Sequence, residues 1–191
     1  GTGGEANSEL WRYLSDGPFP NGERKAFNRH LEAKAASKDP LFYVIIYRAT
    51  GRALGHAALM SIEPADRCVE VGHVLYSPEL QCTRQATEAM YLLARYVFEN
   101  LNYRRYEWKC DSLNEPSRRA ALRLGFTFEG LFRQHKIVKG LNRDTAWYSI
   151  LDSEWPLRKV AFERWLDPAN FDAEGKQRVR LSTLSAAAQA T

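Results

Sequence analysis

Cysteine is scarce in this chain: Cys68, Cys82 and Cys110 stand far apart and are odd in number. That argues against a disulfide framework and against a zinc cluster, so no metal is expected. Long apolar runs are also missing, so nothing approaches a membrane span, and no secretory leader is visible. No internal repeat occurs. The charge excess is small, at +4. It suits an anionic ligand but, with no RNA- or DNA-binding motif, gives little support to a nucleic-acid partner. What remains is a reduced, cytosolic chain of 191 residues, long enough to bury one proper core.

Turn signals divide the chain. Residues 1–9 read as a flexible start, residues 10–166 as one domain and residues 167–191 as a tail, mobile from Asp172 onward. A turn-rich stretch, LSDGPFPNGE, leads into a helix over about Glu23 to Ser37. LFYVIIYRA and ALGHAALMSIE flank Thr50-Gly51-Arg52 as a hairpin, and RCVEVGHVLYS follows as a third strand stopped by Pro78. TFEGLFRQHKIVK and RDTAWYSIL form a second hairpin around Gly140-Leu141-Asn142, before a last helix near Pro156.

Between the hairpins lie two helices with unusual ends. A helix starting near Cys82 puts Ala86, Ala89, Met90, Leu93, Val97 and Phe98 on one face. Its first turn is polar. The first amides of a helix lack internal partners and carry the positive end of its dipole, so they suit a phosphate or pyrophosphate. Arg84 adds charge there, and Thr83 and Thr87 add hydroxyls; the alternative is that Thr83 only caps the helix and Arg84 is solvated. The second helix, about Glu115 to Leu124, has Asn114 as its cap, Pro116 in its first turn and Gly125 at its end.

Taken in order, EVGHVLYSP, TRQATEAM, YRRYEWKCDSLNEPSRRAALRLGFTFEGLFRQH and NRDTAWYSILDSEWP resemble the GNAT superfamily of acetyl-CoA-dependent N-acetyltransferases. Within it they are similar to the branch of ribosomal-protein N-terminal acetyltransferases, RimJ and RimL. The resemblance runs from about Leu10 to Leu166 and implies an α/β (α+β) fold. Its central sheet is mixed and mostly antiparallel, with helices on both faces and a splayed cofactor cleft. It also implies acetyl-CoA as cofactor, with the pantetheine arm against the backbone of His73, Val74, Leu75 and Tyr76 and the phosphates at Gln81, Cys82, Thr83, Arg84, Gln85, Ala86 and Thr87. Asn114 would hold the arm.

Three departures stand out. No first strand is evident ahead of Leu10, so either the chain is truncated or the sheet edge is filled otherwise. The phosphate loop carries Arg84 where the family places Gly, so charge replaces close backbone approach. A family tyrosine that protonates the leaving sulfur is replaced by Ala121; Ser117, one turn after Asn114, resembles the Asn-x-x-Ser arrangement of the ribosomal-protein branch and is the candidate donor, the alternative being positioning of the two substrates without a dedicated acid. Glu70 is preferred over His73 as the base, because strand alternation puts the two on opposite faces. Cys82 lies at the phosphate end with no base beside it and is not expected to form an acyl-enzyme.

Arg133, His135, Asp144 and Tyr148 are expected at the acceptor mouth, with Trp11, Tyr13 and Phe19 as an apolar wall. The expected reaction is acetyl transfer to a primary amine, either a protein N-terminus or a small molecule, by direct attack in a ternary complex. A non-catalytic acyl-CoA-binding or partner-binding module, and a basic nucleic-acid-binding domain, are the competing readings. Monomer and homodimer are both left open.

Overall fold

In a computed structural model the chain is described over residues 10–19 and 24–189. The expected flexible start, residues 1–9, lies outside them. The described strands are β1 (Leu41–Tyr47), β2 (Arg52–Glu63), β3 (Cys68–Tyr76), β4 (Arg105–Asp111), β5 (Thr127–Val138) and β6 (Leu141–Leu151). They form one sheet in the order β1-β2-β3-β4-β6-β5, in which β3–β4 is the parallel pair and the others are antiparallel. The mixed, mostly antiparallel sheet is the expected one. β1 forms one edge among the described residues. No described helix is long and apolar enough to cross a membrane.

Alternation along β4 sorts the two faces. Tyr106, Trp108 and Cys110 are buried in the main core, where Tyr106 meets Phe98 and Phe126. Glu107 and Lys109 therefore point to the opposite face, where α1 (Arg24–Ala36) lies against β1. On the core side, α2 (Arg84–Arg95) buries Ala86, Met90, Leu93 and Ala94, the stripe that its periodicity dictates. It runs on into a π-helical turn, Tyr96–Asn100, which buries Val97 and Phe98. α3 (Glu115–Arg123) starts where Asn114 Oδ1 accepts from Ser117 N at 3.1 Å. It ends at Gly125, whose φ is 92°; a side chain there would also meet Arg158 Cδ at 2.9 Å.

The strand β3 is irregular where it matters. Gly72 pairs with Ala58 and Leu75 with His56, so β3 spends three residues where β2 spends two. His73, with φ at 47°, sits in this bulge. Pairing of β3 with β4 covers Cys68–Val71 and Arg105–Trp108 and stops there. Past that point the two strands part.

The expected tail is instead structured. After α4 (Trp155–Leu166), the chain makes a 3-10 turn at Pro168–Asn170 and returns to form α5 (Leu181–Gln189), with Leu181 1% exposed. Asn170 stitches the return: its Nδ2 donates to the carbonyls of Trp165 and Val179, and its Oδ1 accepts from Val179 N at 2.9 Å. Trp165 Nε1 adds a bond to Gln177 Oε1 at 2.7 Å. Apolar burial and satisfied backbone groups hold these residues in place of the solvent expected around them.

Replacing Asn170 by Ala leaves the Trp165 and Val179 backbone groups short of partners. We expect a loss of about 1–3 kcal/mol in urea denaturation at unchanged slope. A midpoint equal to the wild type would show that the segment contributes nothing to stability.

Candidate functional site

Where β3 and β4 separate, a continuous groove of about 2080 Å³ passes through the sheet. Gly72–Tyr76 of β3 make one wall; Lys109–Asp111 of β4, then Asn114 and Ser117 of α3, make the other. One mouth opens on the α1 face and the other at the start of α2. The backbone groups of β3 above Val71 that face β4 have no strand partner, and buried groups of this kind demand one.

On the α1 face the groove meets a row of charges. Lys109 Nζ lies 3.0 Å from Glu70 Oε2 and 2.7 Å from Glu107 Oε2. Arg105 Nε adds a contact to Glu107 Oε1 at 2.6 Å. Glu107 thus has two cations, and their hydrogen bonds outweigh its burial and hold its pKa below the usual carboxylate value. Glu70 has one shared ammonium. Its burial wins over the Lys109 contact, and its pKa lies above the usual value. Lys109 stays charged, because its contacts to Glu107 and Glu70 outweigh its own desolvation and raise its pKa.

His73 does not face away from Glu70 as strand alternation predicts. The added residue of the bulge resets the alternation, and the His73 ring lies 5.4 Å from that of Phe42, on the α1 face. Glu70 shares that face, since a side chain at Gly72 would meet Met60 Sδ at 2.5 Å and Glu70 Oε1 at 3.5 Å. Burial, then the charge of Lys34, lowers the pKa of His73. His56, behind it, falls to about 4 for the same reasons.

On the other side of the gap, Trp108 Nε1 donates to Ser117 Oγ at 3.0 Å. Ser117 Oγ accepts that bond, and its hydroxyl also lies within hydrogen-bonding reach of the Cys110 sulfur. Asn114 spends Oδ1 on the cap and keeps its Nδ2 donors. Ala121, at the position of the missing tyrosine, is fully buried in the core. Cys110 is buried too, which pushes its thiol pKa up.

At the start of α2 the residues divide. Thr83 is the cap: its hydroxyl accepts from Ala86 N at 3.2 Å and donates to Leu80 O at 2.7 Å. Gln81 Nε2 donates to Tyr76 O at 3.1 Å, and the Tyr76 hydroxyl reaches Ala86 O at 3.5 Å. The amides of Arg84 and Gln85 have no intrahelical acceptor, as at any helix start. The Arg84 side chain is half-buried on the groove wall, where it donates to Leu166 O and lies 4.9 Å over the Phe171 ring. Thr87 is buried and accepts from Arg123 Nη1 at 3.0 Å. Cys82 is exposed on the groove wall.

Of the four expected acceptor residues, His135 lines the groove, with Nδ1 at 3.0 Å from Thr145 Oγ1. Arg133 and Asp144 lie outside it; Asp144 accepts from Gln134 N at 2.7 Å within its own hairpin. Tyr148 is a core residue, 1% exposed, whose hydroxyl accepts from Arg118 Nε. The aromatic wall is partial: Tyr13 lines the groove, while Trp11 packs edge-on against Phe19. Sequence reasoning missed Lys109, Trp108 and Arg123, each of which has a partner on another element.

A profile described as an acetyltransferase (GNAT) domain matches residues 5–127. The fold is similar to the crystal structure of a GCN5-related N-acetyltransferase from Brucella melitensis, at TM-score 0.91 and 46% identity over 96% of this chain and 82% of that one. YnaD of Bacillus subtilis, an uncharacterised N-acetyltransferase, is 29% identical over 151 residues, 78% of this chain and 85% of its own. YdaF of the same species, provisionally named a ribosomal N-acetyltransferase, is 31% identical over 105 residues, 55% of this chain and 57% of its own. GNAT acetyltransferases draw their acetyl group from acetyl-CoA. With the parted strands and the open helix start, these likenesses establish that the chain belongs to the GNAT acetyltransferase family.

Proposed function

We propose that this protein transfers an acetyl group from acetyl-CoA to a primary amine, with the α-amino group of a protein N-terminus as acceptor. The observation that carries the reading is the groove through the parted sheet, with Glu70 on one side of the gap and Ser117 on the other. The described residues fit the cofactor. The free edge of β3 from His73 to Tyr76 and the Asn114 amide suit the pantetheine arm, and the Arg84 and Gln85 amides suit the pyrophosphate. When bound, acetyl-CoA supplies a thioester carbonyl carbon as the electrophile.

Glu70 serves as the base. Its raised pKa moves it toward that of the amine, and Lys109 orients its carboxylate. Ser117 holds a proton at Oγ on the far side of the gap, oriented by the Trp108 indole. No cysteine of the site takes part: Cys82 lies at the phosphate end and Cys110 is buried with a raised pKa. An α-amino group, with a reference pKa of about 8, demands less of such a base than a lysine at about 10.4. The likeness to YdaF supports the ribosomal-protein branch, and three free cysteines suit a reducing cytosol.

Thiol release from acetyl-CoA, measured against N-terminal peptides and small amines, tests the reading. Release that depends on peptide is the expected result; binding without release to any amine would return the protein to a non-catalytic module. Glu70→Gln should lower kcat/KM by about 10²- to 10⁴-fold. In the wild type kcat/KM rises with pH through the Glu70 pKa, above 4.5, and this limb should vanish in the variant. The sign for stability is opposite. Folded Glu70 holds its proton more tightly than the unfolded chain, so its contribution is present at low pH and lost as pH rises through the folded pKa. E70Q should therefore keep or raise the Tm at pH 7.

Ser117→Ala should lower kcat at saturating acetyl-CoA with little change in cofactor Kd. Trp108→Phe, which keeps the ring and removes the indole donor, should reproduce part of that loss. Equal kcat in all three proteins would remove Ser117 from the reaction.

A further inference from the structure

The groove does not end at the start of α2. It continues between α3 and the returning C-terminal segment, where Arg123, Lys176 and Arg180 line it. Arg123 is half-buried, donates to Thr87 Oγ1 at 3.0 Å and lies 4.8 Å from the Trp165 ring centre. Burial lowers its pKa, with no carboxylate to offset the cost. Lys176 and Arg180 are exposed, and neither forms an ion pair among the described residues. The acid on this wall, Asp172, turns inward, accepting from Lys176 N at 2.7 Å.

Three cations from two elements line this end of the groove with a single acid, Asp172, which leaves an excess of positive charge suited to a compact dianion. The site is held in shape from both sides. Arg84 ties the start of α2 to Leu166 and Phe171, and Asn170 and Leu181 anchor the segment that carries Lys176 and Arg180.

We propose that Arg123, Lys176 and Arg180 form a phosphomonoester site that holds the ribose 3′-phosphate of coenzyme A, so that the C-terminal segment selects the cofactor by that group. The assignment follows from chemistry. With the pyrophosphate at the α2 amides, the ribose 3′-phosphate is the remaining charged group of the cofactor, and it lies on the same nucleotide end. The inference rests on the acetyl-CoA reading above and extends it to residues beyond the loop before α2.

Calorimetric titration of the full chain with acetyl-CoA and with acetyl-3′-dephospho-CoA tests it. The wild type should prefer the phosphorylated form by about tenfold or more, and added salt should shrink the preference. The K176A/R180A double variant should weaken acetyl-CoA binding and leave the 3′-dephospho form unaffected, so that the preference collapses. R123K should retain more of the preference than R123A. Equal wild-type affinity for both forms, or a double variant that weakens both alike, would overturn the site. Binding of neither form would instead overturn the cofactor reading beneath it.

Discussion

Everything in this molecule's site depends on the end of hydrogen bonding between β3 and β4 after Val71 and Trp108. A parallel pair that continued would satisfy its own backbone and close the sheet. The bulge at His73 bends β3 at the residue where pairing stops, and the Asn114-capped turn carries the chain away from β4 on the other side. The result is a strand edge inside a domain, where exposed peptide groups are ordinarily costly. An extended ligand rich in amides relieves that cost. In this way the unpaired backbone accounts for the opening and suits the amide-rich arm proposed for it.

The gap also brings groups from both sheet faces to one groove. Glu70 and Lys109 belong to the α1 face, while Trp108 and Ser117 belong to the helix-packed face, and in an unbroken sheet they would never meet a common ligand. Their electrostatic characters differ. One side carries a carboxylate short of compensation, because its ammonium partner is divided with Glu107. The other carries a neutral hydroxyl fixed by an indole. Opposed proton affinities across a narrow channel are the arrangement that general acid–base chemistry requires.

The sequence carried the elements whose signals are local. The Thr83 and Asn114 caps, Pro116, Gly125 and the apolar stripe from Ala86 to Phe98 place α2 and α3 within about two residues of their ends. Both hairpins follow from their turns. The bulge was not legible, since a positive φ at a histidine is enforced by the facing strand, and the error over the faces of Glu70 and His73 follows from it. Lys109 is an unremarkable letter until Glu70 and Glu107 come into register beside it. The last twenty residues looked like a tail because their helix offers few large apolar side chains; its leading one, Leu181, fills a site built by α4. Tyr148, expected at the mouth, faces the core because its register opposite Trp108 fixes its side.

The placement of the C-terminal segment has a consequence for how the groove comes apart. Lys176 and Arg180 follow every described strand in the chain, and the segment that carries them rests on α4 through Asn170 and Leu181 rather than on the sheet. This wall can therefore loosen without unpairing a strand, so that one side of the groove can open while the sheet stays whole.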